Sequence, residues 1–120
     1  MTVINNAAAL RSAIENWNEG NLDGYLGLYA PNIVLHSVPA GFPPGVEGVK
    51  EMYQGMWSSY PGSTIQIEDL FQEGERVACR YTVRATHGAT GEQVTFIGMT
   101  ILHFSNGVCF ERWDIDRKQK

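Results

Sequence analysis

The sequence predicts an α+β fold, with N-terminal helices packed on a strongly curved antiparallel or mixed sheet, in one domain over residues 1–120. Helical periodicity is confined to the first half of the chain, and alternating strand-like runs fill the second half. The predicted order α-α-β-α-β-β-β-β is typical of this class. With 43% hydrophobic and 18% charged residues, the chain is long and apolar enough to bury a core without disulfides or a metal.

The chain begins with two predicted helices joined by a glycine turn. The stretch AALRSAIENW repeats apolar side chains at helical spacing, at Ala9, Leu10, Ile14 and Trp17. Gly20 is a suitable C-terminal cap for this helix. Asn21 then caps a short second helix, which we expect to carry Tyr25 and Tyr29 and to end before Pro31. The pattern therefore predicts a helical hairpin.

A strand and a third helix follow. NIVLHSV is β-branched and alternating, which predicts a strand over residues 32–38. PAGFPPG is a loop by composition. VEGVKEMYQGMWSSY then predicts a helix with one apolar stripe, made by Val46, Val49, Met52, Tyr53 and Met56.

Four strands fill the rest of the chain. TIQIEDLFQEG and ERVACRYTVRATHG form the first two, and the second alternates, with Val77, Cys79, Tyr81 and Val83 on one face. EQVTFIGMTILHFSNG is apolar on both faces, so we expect a central, covered strand. Asn106-Gly107 predicts a tight hairpin turn into the last strand. A curved sheet wrapped on a few helices would enclose a conical cavity suited to a small molecule.

Charge and cysteine content narrow the classes of partner. The net charge of −4 and the pI near 5.2 argue against nucleic acid or an anionic membrane surface as a partner. No stretch is long and apolar enough to span a bilayer, and the N-terminal residues are not typical of a signal peptide. Cys79 and Cys109 lie in apolar strand-like runs without metal-ligand spacing. We expect free thiols and a cytoplasmic location, although a disulfide stays open.

Three segments together resemble the SnoaL-like polyketide cyclase family of the NTF2-like superfamily. They are NWNEGNLDGYLGLYAPNIVLHSVP near the start, PPGVEGVKEMYQGMWSSYPGSTIQIEDLFQEGERVACRYTVRATHGATGE in the middle and FIGMTILHFSNGVCFERWDID at the close. No one segment is specific, but their order is. The resemblance implies an NTF2-like cone and a homodimer packed through the sheet.

The resemblance also implies a reaction. Cyclases of this family close a ring by an intramolecular aldol step on an apolar carbonyl compound, using a carboxylate base and neither metal nor cofactor. The same superfamily contains ketosteroid-isomerase-like enzymes, epoxide hydrolases and non-catalytic binding proteins, so fold alone does not choose among them. Whether the protein is an enzyme stays open at this point.

The candidate catalytic carboxylates lie in the last strand. In the cyclases, the catalytic aspartate follows a Glu-x-Trp pattern, which Glu111 and Trp113 carry here. The position expected for that aspartate holds Arg117, while Asp116 lies one residue before it and Asp114 three before. The sequence departs from the family pattern, and both acids remain candidates.

Strand alternation divides this segment into two faces. Glu111, Trp113 and Ile115 share one face, and Arg112, Asp114 and Asp116 share the other. A β-bulge near the C-terminus would be one way to bring Asp116 into the pocket. In the other interpretation, Asp114 and Asp116 are solvated acids that pair with Arg112 or Arg117.

Two histidines and several aromatic residues complete the candidate site. The resemblance implies that His36, at the end of the first strand, and His103, before the hairpin turn, assist the carboxylate. Each is otherwise an ordinary strand histidine. The side chains expected to bind the substrate are Trp17, Tyr29, Tyr53, Trp57, Phe96 and Trp113.

The two enzymatic alternatives rest on other residues. A ketosteroid-isomerase-like enzyme would carry an Asp directly before the proline of the first strand and a Tyr in the first helix. This chain has Val38 before Pro39 and no Tyr in that helix, which counts against it. An epoxide hydrolase would combine Arg80 or Arg84 with Asp116.

Overall fold

The structure, a computed structural model, describes residues 4–119 of the chain, and that part contains three helices and five strands in the predicted order. The helices are α1 (Asn6–Asn18), α2 (Leu22–Leu26) and α3 (Val46–Ser59). The strands are β1 (Tyr29–Leu35), β2 (Thr64–Glu73), β3 (Arg76–Thr86), β4 (Gln93–Ser105) and β5 (Val108–Lys118). None of these helices has the length and hydropathy needed to cross a membrane.

The five strands form one mixed sheet in the order β1-β5-β4-β3-β2. β1 runs parallel to β5, and the other neighbours are antiparallel. The central position predicted for β4 is confirmed. The predicted hairpin turn is also present, because Asn106 and Gly107 adopt φ values of 53° and 83°, the left-handed pair that a tight two-residue turn requires.

The second helix is shorter than predicted. It ends at Leu26, and Tyr29 is the first residue of β1, so the expected extension of the helix to Tyr29 is wrong. Pro31 does not stop a helix but lies within β1. A proline is tolerated there because β1 is an edge strand, with β5 as its one neighbour. The pairing with β5 is a tertiary contact, which local pattern does not contain.

The core lies between the three helices and the inner face of the sheet. The most deeply buried apolar side chains are Leu10, Val49, Val77, Leu102, Phe104 and Cys109. Trp17 lies at the centre of an aromatic cluster, with edge-on contacts to Tyr25, Tyr53 and Trp57 at ring-centre distances of 5.2, 5.6 and 4.6 Å. Both cysteines are buried free thiols, which confirms their prediction as small apolar residues.

A β-bulge at Phe110 sets which residues of β5 face the core. Phe104 pairs with Cys109 and His103 pairs with Glu111, so Phe110 has no partner across the ladder. Because of this extra residue, Cys109 and Arg112 both point inward although they are three apart, with 0% and 6% of their surfaces exposed. From Glu111 to Lys118 the register is uninterrupted. No bulge near the C-terminus is needed.

The outer face of the sheet carries large apolar side chains that this chain does not cover. They are Val34, Phe71, Met99, Ile101, Trp113 and Ile115. The expectation that both faces of β4 are covered is therefore wrong for a single chain, since Met99 is 67% exposed. Exposed apolar surface of this extent on one face typically marks an interaction site.

One glycine of β4 permits a close crossing of the inner face. Gly98 pairs with Tyr81 on one side and Asp116 on the other. A Cβ atom added to Gly98 would lie 2.5 Å from both Cζ and Oη of Tyr81. The ring of Tyr81 therefore passes directly over the backbone of β4 towards β5, which a side chain at position 98 would prevent.

We predict that Gly98→Ala destabilises the protein by about 1–3 kcal/mol, because the added methyl group overpacks the site and displaces the Tyr81 ring. Urea unfolding followed by tryptophan fluorescence measures this change. Gly55→Ala is the matched control, since Gly55 lies in α3 with no atom near its missing Cβ. That control should gain up to about 1 kcal/mol from helix propensity. Equal effects of the two substitutions would contradict the crossing.

Candidate functional site

A cavity of about 430 Å³ lies between the helices and the inner face of the sheet. Its walls are mostly apolar, and they include Leu10, Ile14, Trp17, Met52, Met56, Ile65, Val83 and Phe96. A volume of this size suits a small organic molecule. The cavity is therefore the candidate site, and its few polar groups determine the chemistry it can perform.

Three charged side chains of β5 line the cavity. Arg112, Asp114 and Asp116 are alternate residues of the uninterrupted part of the strand, so they share its inner face. This confirms the division of faces predicted from the sequence. Arg117, at the position where cyclases carry their aspartate, is exposed and is not part of the lining.

Arg112 is a buried cation whose three side-chain nitrogens all have partners. Its Nε donates to Thr100 Oγ1 over 2.9 Å. Its Nη1 donates to the phenol oxygens of Tyr25, over 3.1 Å, and of Tyr29. Its Nη2 lies 3.2 Å from Asp114 Oδ2. A buried arginine needs such a set of partners, because an unpaired charge in this environment would be strongly destabilising.

Two of the tyrosine partners of Arg112, Tyr29 and Tyr53, keep their protons. The hydroxyl groups of Tyr25 and Tyr29 are hydrogen-bonded over 2.8 Å, and Tyr53 lies next to them. Burial raises the pKa of Tyr29 and of Tyr53 well above the usual phenol value, which outweighs the opposing effect of Arg112. These phenols accept hydrogen bonds from the guanidinium without cancelling its charge. Among its partners, that leaves Asp114 as the counter-ion.

Asp114 is held at both carboxylate oxygens. Tyr81 donates its hydroxyl to Oδ1 over 2.6 Å, while Arg112 lies beside Oδ2. Burial raises the pKa of Tyr81, and the neighbouring charge of Asp114 raises it further, so this donor keeps its proton. Only 15% of the Asp114 side chain is exposed. These two contacts fix its position and its orientation.

Asp116 is the available carboxylate of the cavity. It lies at the rim, exposed to solvent on one side and lining the cavity on the other. Within residues 4–119 it has neither an ion pair nor a side-chain hydrogen bond. Partial burial raises its pKa above the usual aspartate value, and the charge of Asp114 adds to the rise, while Arg112 opposes it. A carboxylate of this kind is suited to act as a general base.

The two histidines lie outside the cavity. His36 is on the outer side of the sheet, where its Nε2 is 2.8 Å from Glu111 Oε2 and its ring stacks on Trp113 at 5.0 Å. His103 pairs with Glu111 across the ladder, and its ring lies 4.5 Å from that of Phe110. Neither histidine lines the cavity. The alternation that turns Asp114 inward turns Glu111 and Trp113 outward, and the two histidines lie on that outer side with them.

The aromatic side chains predicted to bind the substrate divide into two groups. Trp17, Tyr53 and Phe96 line the cavity as expected. The other three do not: Tyr29 is buried against Arg112, Trp57 packs on Trp17, and Trp113 is on the outer face. The sequence around an aromatic residue in a core segment does not show whether its ring reaches the cavity.

Sequence reasoning missed the central role of Arg112 and its partners. Alternation on β5 did place Arg112 beside the two acids. Its tyrosine partners are 87, 83 and 59 residues away in the chain, at Tyr25, Tyr29 and Tyr53. Tyr81 was predicted to share one face of its strand with Val77 and Cys79, but not to reach β5. Long-range contacts between such positions are not visible in local patterns.

Metal ligands are not grouped in the described part of the chain. Residues 4–119 contain no cluster of three or more His, Cys, Asp or Glu side chains arranged to hold an ion. Of the two aspartates of β5, Asp114 is instead paired with Arg112, and Asp116 lies at the rim of the cavity.

Comparison with known proteins identifies a family for most of the chain. Residues 10–112 match the SnoaL-like domain family. None of the functionally curated proteins matches the sequence significantly. The family match stops at Arg112, before both cavity carboxylates, so the case for Asp114 and Asp116 rests on the geometry above.

Solved structures with the same fold agree with this result. IdmH, a proposed polyketide cyclase from Streptomyces antibioticus, is 26% identical, with a TM-score of 0.81 over 94% of this chain and 92% of its own. A proposed polyketide cyclase from Bacillus cereus is 28% identical, with a TM-score of 0.77 over 90% and 71%. AclR, a proposed hydroxylase from Streptomyces galilaeus, is 24% identical, with a TM-score of 0.84 over 97% and 77%.

We predict that Arg112→Met destabilises the protein by about 3–5 kcal/mol, because it leaves Asp114 buried without its counter-ion. Chemical unfolding provides the measurement. Arg80→Met is the matched control: Arg80 pairs with Asp69 on the outer face, and both side chains are more than half exposed, at 53% and 56%. The control should change stability by less than about 1 kcal/mol. Similar losses in both variants would show that the buried pair has no special structural role.

Proposed function

Because the chain belongs to the SnoaL-like domain family, we propose that it binds a small apolar carbonyl compound and moves a proton on it without a cofactor. The observation that carries this proposal is the position of Asp116, a partly buried carboxylate with a raised pKa and no protein partner in the described chain, at the rim of an apolar cavity. Two of the structural neighbours, the proposed cyclases from Streptomyces antibioticus and Bacillus cereus, support the same class of chemistry.

In the proposed reaction, the Asp116 carboxylate removes a proton from the carbon next to the carbonyl group. The electron pair of the broken C–H bond moves onto the substrate to form an enolate. In an aldol cyclisation the enolate carbon attacks a second carbonyl of the same molecule, and the resulting alkoxide takes the proton from Asp116. In an isomerisation, a carbon–carbon double bond of the substrate is conjugated with the enolate, and the proton returns to the far carbon of that double bond. Both routes restore the Asp116 carboxylate.

Asp114 acts on Asp116 through its charge rather than by contact with the substrate. Its two oxygens are held by Tyr81 and Arg112, so it stays in place when a ligand enters. Its negative charge raises the pKa of Asp116, and a higher pKa makes a carboxylate a stronger base. We therefore assign Asp116 as the base and Asp114 as its positioning neighbour.

An epoxide hydrolase would need Arg80 or Arg84 beside Asp116 in the cavity, and the fold places both arginines elsewhere. Arg80 pairs with Asp69 and Arg84 donates to Gln66, and neither arginine lines the cavity. A non-catalytic binding protein with the same cavity remains the second candidate, since the solvent-exposed side of Asp116 is also compatible with a simple polar rim. The activity of Asp116 variants separates this candidate from the enzyme.

We further propose that a second copy of the chain covers the outer face of the sheet. The family resemblance implies a homodimer packed through this sheet, and the exposed side chains of Met99, Ile101 and Ile115 supply the apolar surface that such an interface needs. The same surface of each copy would then form the interface, with the two copies related by a two-fold axis.

We also propose a cytoplasmic location. The support is that Cys79 and Cys109 are free, buried thiols, as expected in a reducing compartment. Burial raises the pKa of Cys109 to about 11, so this thiol stays protonated and unreactive at neutral pH.

We predict that the protein catalyses the ring-opening elimination of 5-nitrobenzisoxazole, a general probe for carboxylate bases in apolar sites. In this reaction the base removes the ring C–H proton, the N–O bond breaks and a coloured phenolate forms, which visible absorbance follows. Asp116→Asn should lower the rate by about 100-fold or more, because the amide does not act as a base. Glu73→Gln, an exposed acid outside the cavity, is the matched control. Full activity in Asp116→Asn would remove Asp116 as the base.

The pH dependence tests the role assigned to Asp114. Only ionised Asp116 is active, so the rate should rise with pH through its raised pKa, above the ordinary aspartate value of about 3.9. Asp114→Asn removes a charge that raises this pKa, so the rise should move to lower pH. A profile that does not move, in a variant that still folds and turns over, contradicts the positioning role.

For the interface, we predict that Ile115→Lys converts a dimer to a monomer. Ile115 is 81% exposed in one chain, and a lysine there would place a charge in the apolar contact. Light scattering coupled to gel filtration gives the mass of each species. Phe42→Lys is the control, since Phe42 is also partly exposed but lies in the loop before α3. A wild-type protein that is monomeric at high concentration would refute the interface.

A further inference from the structure

We infer that the cavity discriminates by charge, accepting uncharged carbonyl compounds and excluding the same compounds when they carry a carboxylate. This inference rests on the ligand-binding part of the proposed function and specifies which ligands the site takes. The balance of charges around the cavity and the hydrogen bonds that Arg112 already makes both disfavour an acidic ligand.

The cation that an acidic ligand would pair with is already engaged by other groups of the protein. Among the described residues, Arg112 is the one lysine or arginine that lines the cavity. Its Nε and Nη1 nitrogens donate to a threonine and to tyrosine hydroxyls, and its Nη2 is directed to Asp114. A carboxylate ligand would therefore find this guanidinium already engaged and 94% buried, since 6% of Arg112 is exposed. Binding there would require displacing Asp114.

Displacing Asp114 would be unfavourable. Its carboxylate is held by Arg112 on one oxygen and by Tyr81 on the other, both in a largely buried setting. Removing it from these partners would leave a second carboxylate without compensation in the same apolar space. The existing pair thus protects the cation from competition by an acidic ligand.

The charge that remains on the cavity lining is negative. The charges of Arg112 and Asp114 offset each other, and ionised Asp116 leaves the lining with one net negative charge. The apolar walls weaken dielectric screening, so repulsion between Asp116 and a ligand carboxylate is stronger than it would be in water. The net charge of the whole chain, −4, acts in the same direction. An uncharged carbonyl group experiences neither repulsion nor competition.

Calorimetric titration with a pair of matched probes tests the inference. Methyl 2-naphthoate and 2-naphthoate share one ring system and differ in charge. At a pH where Asp116 is ionised, the ester should bind at least about tenfold more tightly than the carboxylate. A carboxylate is also more strongly hydrated than an ester. This gap in affinity between the two probes therefore does not by itself show which group of the protein causes it.

Two variants identify the source of the gap. Asp116→Asn removes the repelling charge at a solvent-exposed rim position, so the variant should fold, and the gap should narrow by about tenfold through tighter binding of 2-naphthoate. Glu73→Gln changes the net charge of the chain by the same amount at an exposed position outside the cavity, and it should leave the gap as in the wild type.

The outcomes separate this inference from the proposed catalysis. Equal binding of the two probes, no binding of the ester, or a gap unchanged in Asp116→Asn would overturn charge discrimination, whatever the turnover of 5-nitrobenzisoxazole. The gap could narrow in Asp116→Asn as predicted while the wild-type protein does not turn over 5-nitrobenzisoxazole. That result would support charge discrimination and refute the proposed catalysis. Narrowing of the same size in Glu73→Gln would also overturn the inference, because the effect would then be one of overall charge.

Discussion

The buried charge of Arg112 is the constraint on which the rest of the structure depends. A guanidinium without water must be surrounded by acceptors, and here they come from different parts of the chain. Tyr25 of α2, Tyr29 of β1 and Tyr53 of α3 present their hydroxyls, while Thr100 of β4 binds Nε. One side chain therefore joins two helices to three strands, and it also lines the cavity.

This constraint gives the two aspartates of β5 different surroundings. Asp114 neutralises Arg112 and is held in place by Tyr81, whose ring can cross β4 because position 98 is a glycine. Asp116, two residues further along the same face, has no such partner in the described chain and faces both cavity and solvent. The charge of Asp114 raises the pKa of Asp116, and the different surroundings of these two similar residues are the basis of the different roles proposed for them.

Much of this arrangement follows from alternation in the sequence. The order of elements, the hairpin at Asn106-Gly107 and the shared face of Arg112, Asp114 and Asp116 were all predicted correctly. The extent of the second helix was wrong, because Tyr29 joins an edge strand through pairing with β5. His36 and His103 were expected at the site, but they lie on the outer side of the sheet. Their position depends on the parity of each strand, which a pattern of residue types at strand ends does not reveal.

The sequence by itself determined the fold class, the family and the set of acids that share one face of the last strand, because these depend on local periodicity and on the order of motifs. The tertiary structure decided which face is the inner one. That choice depends on the bulge at Phe110, a feature of the pairing between β4 and β5. It also decided that Arg112 takes Asp114 as its counter-ion and leaves Asp116 free, since burial and long-range hydrogen bonds exist only once distant segments have come together.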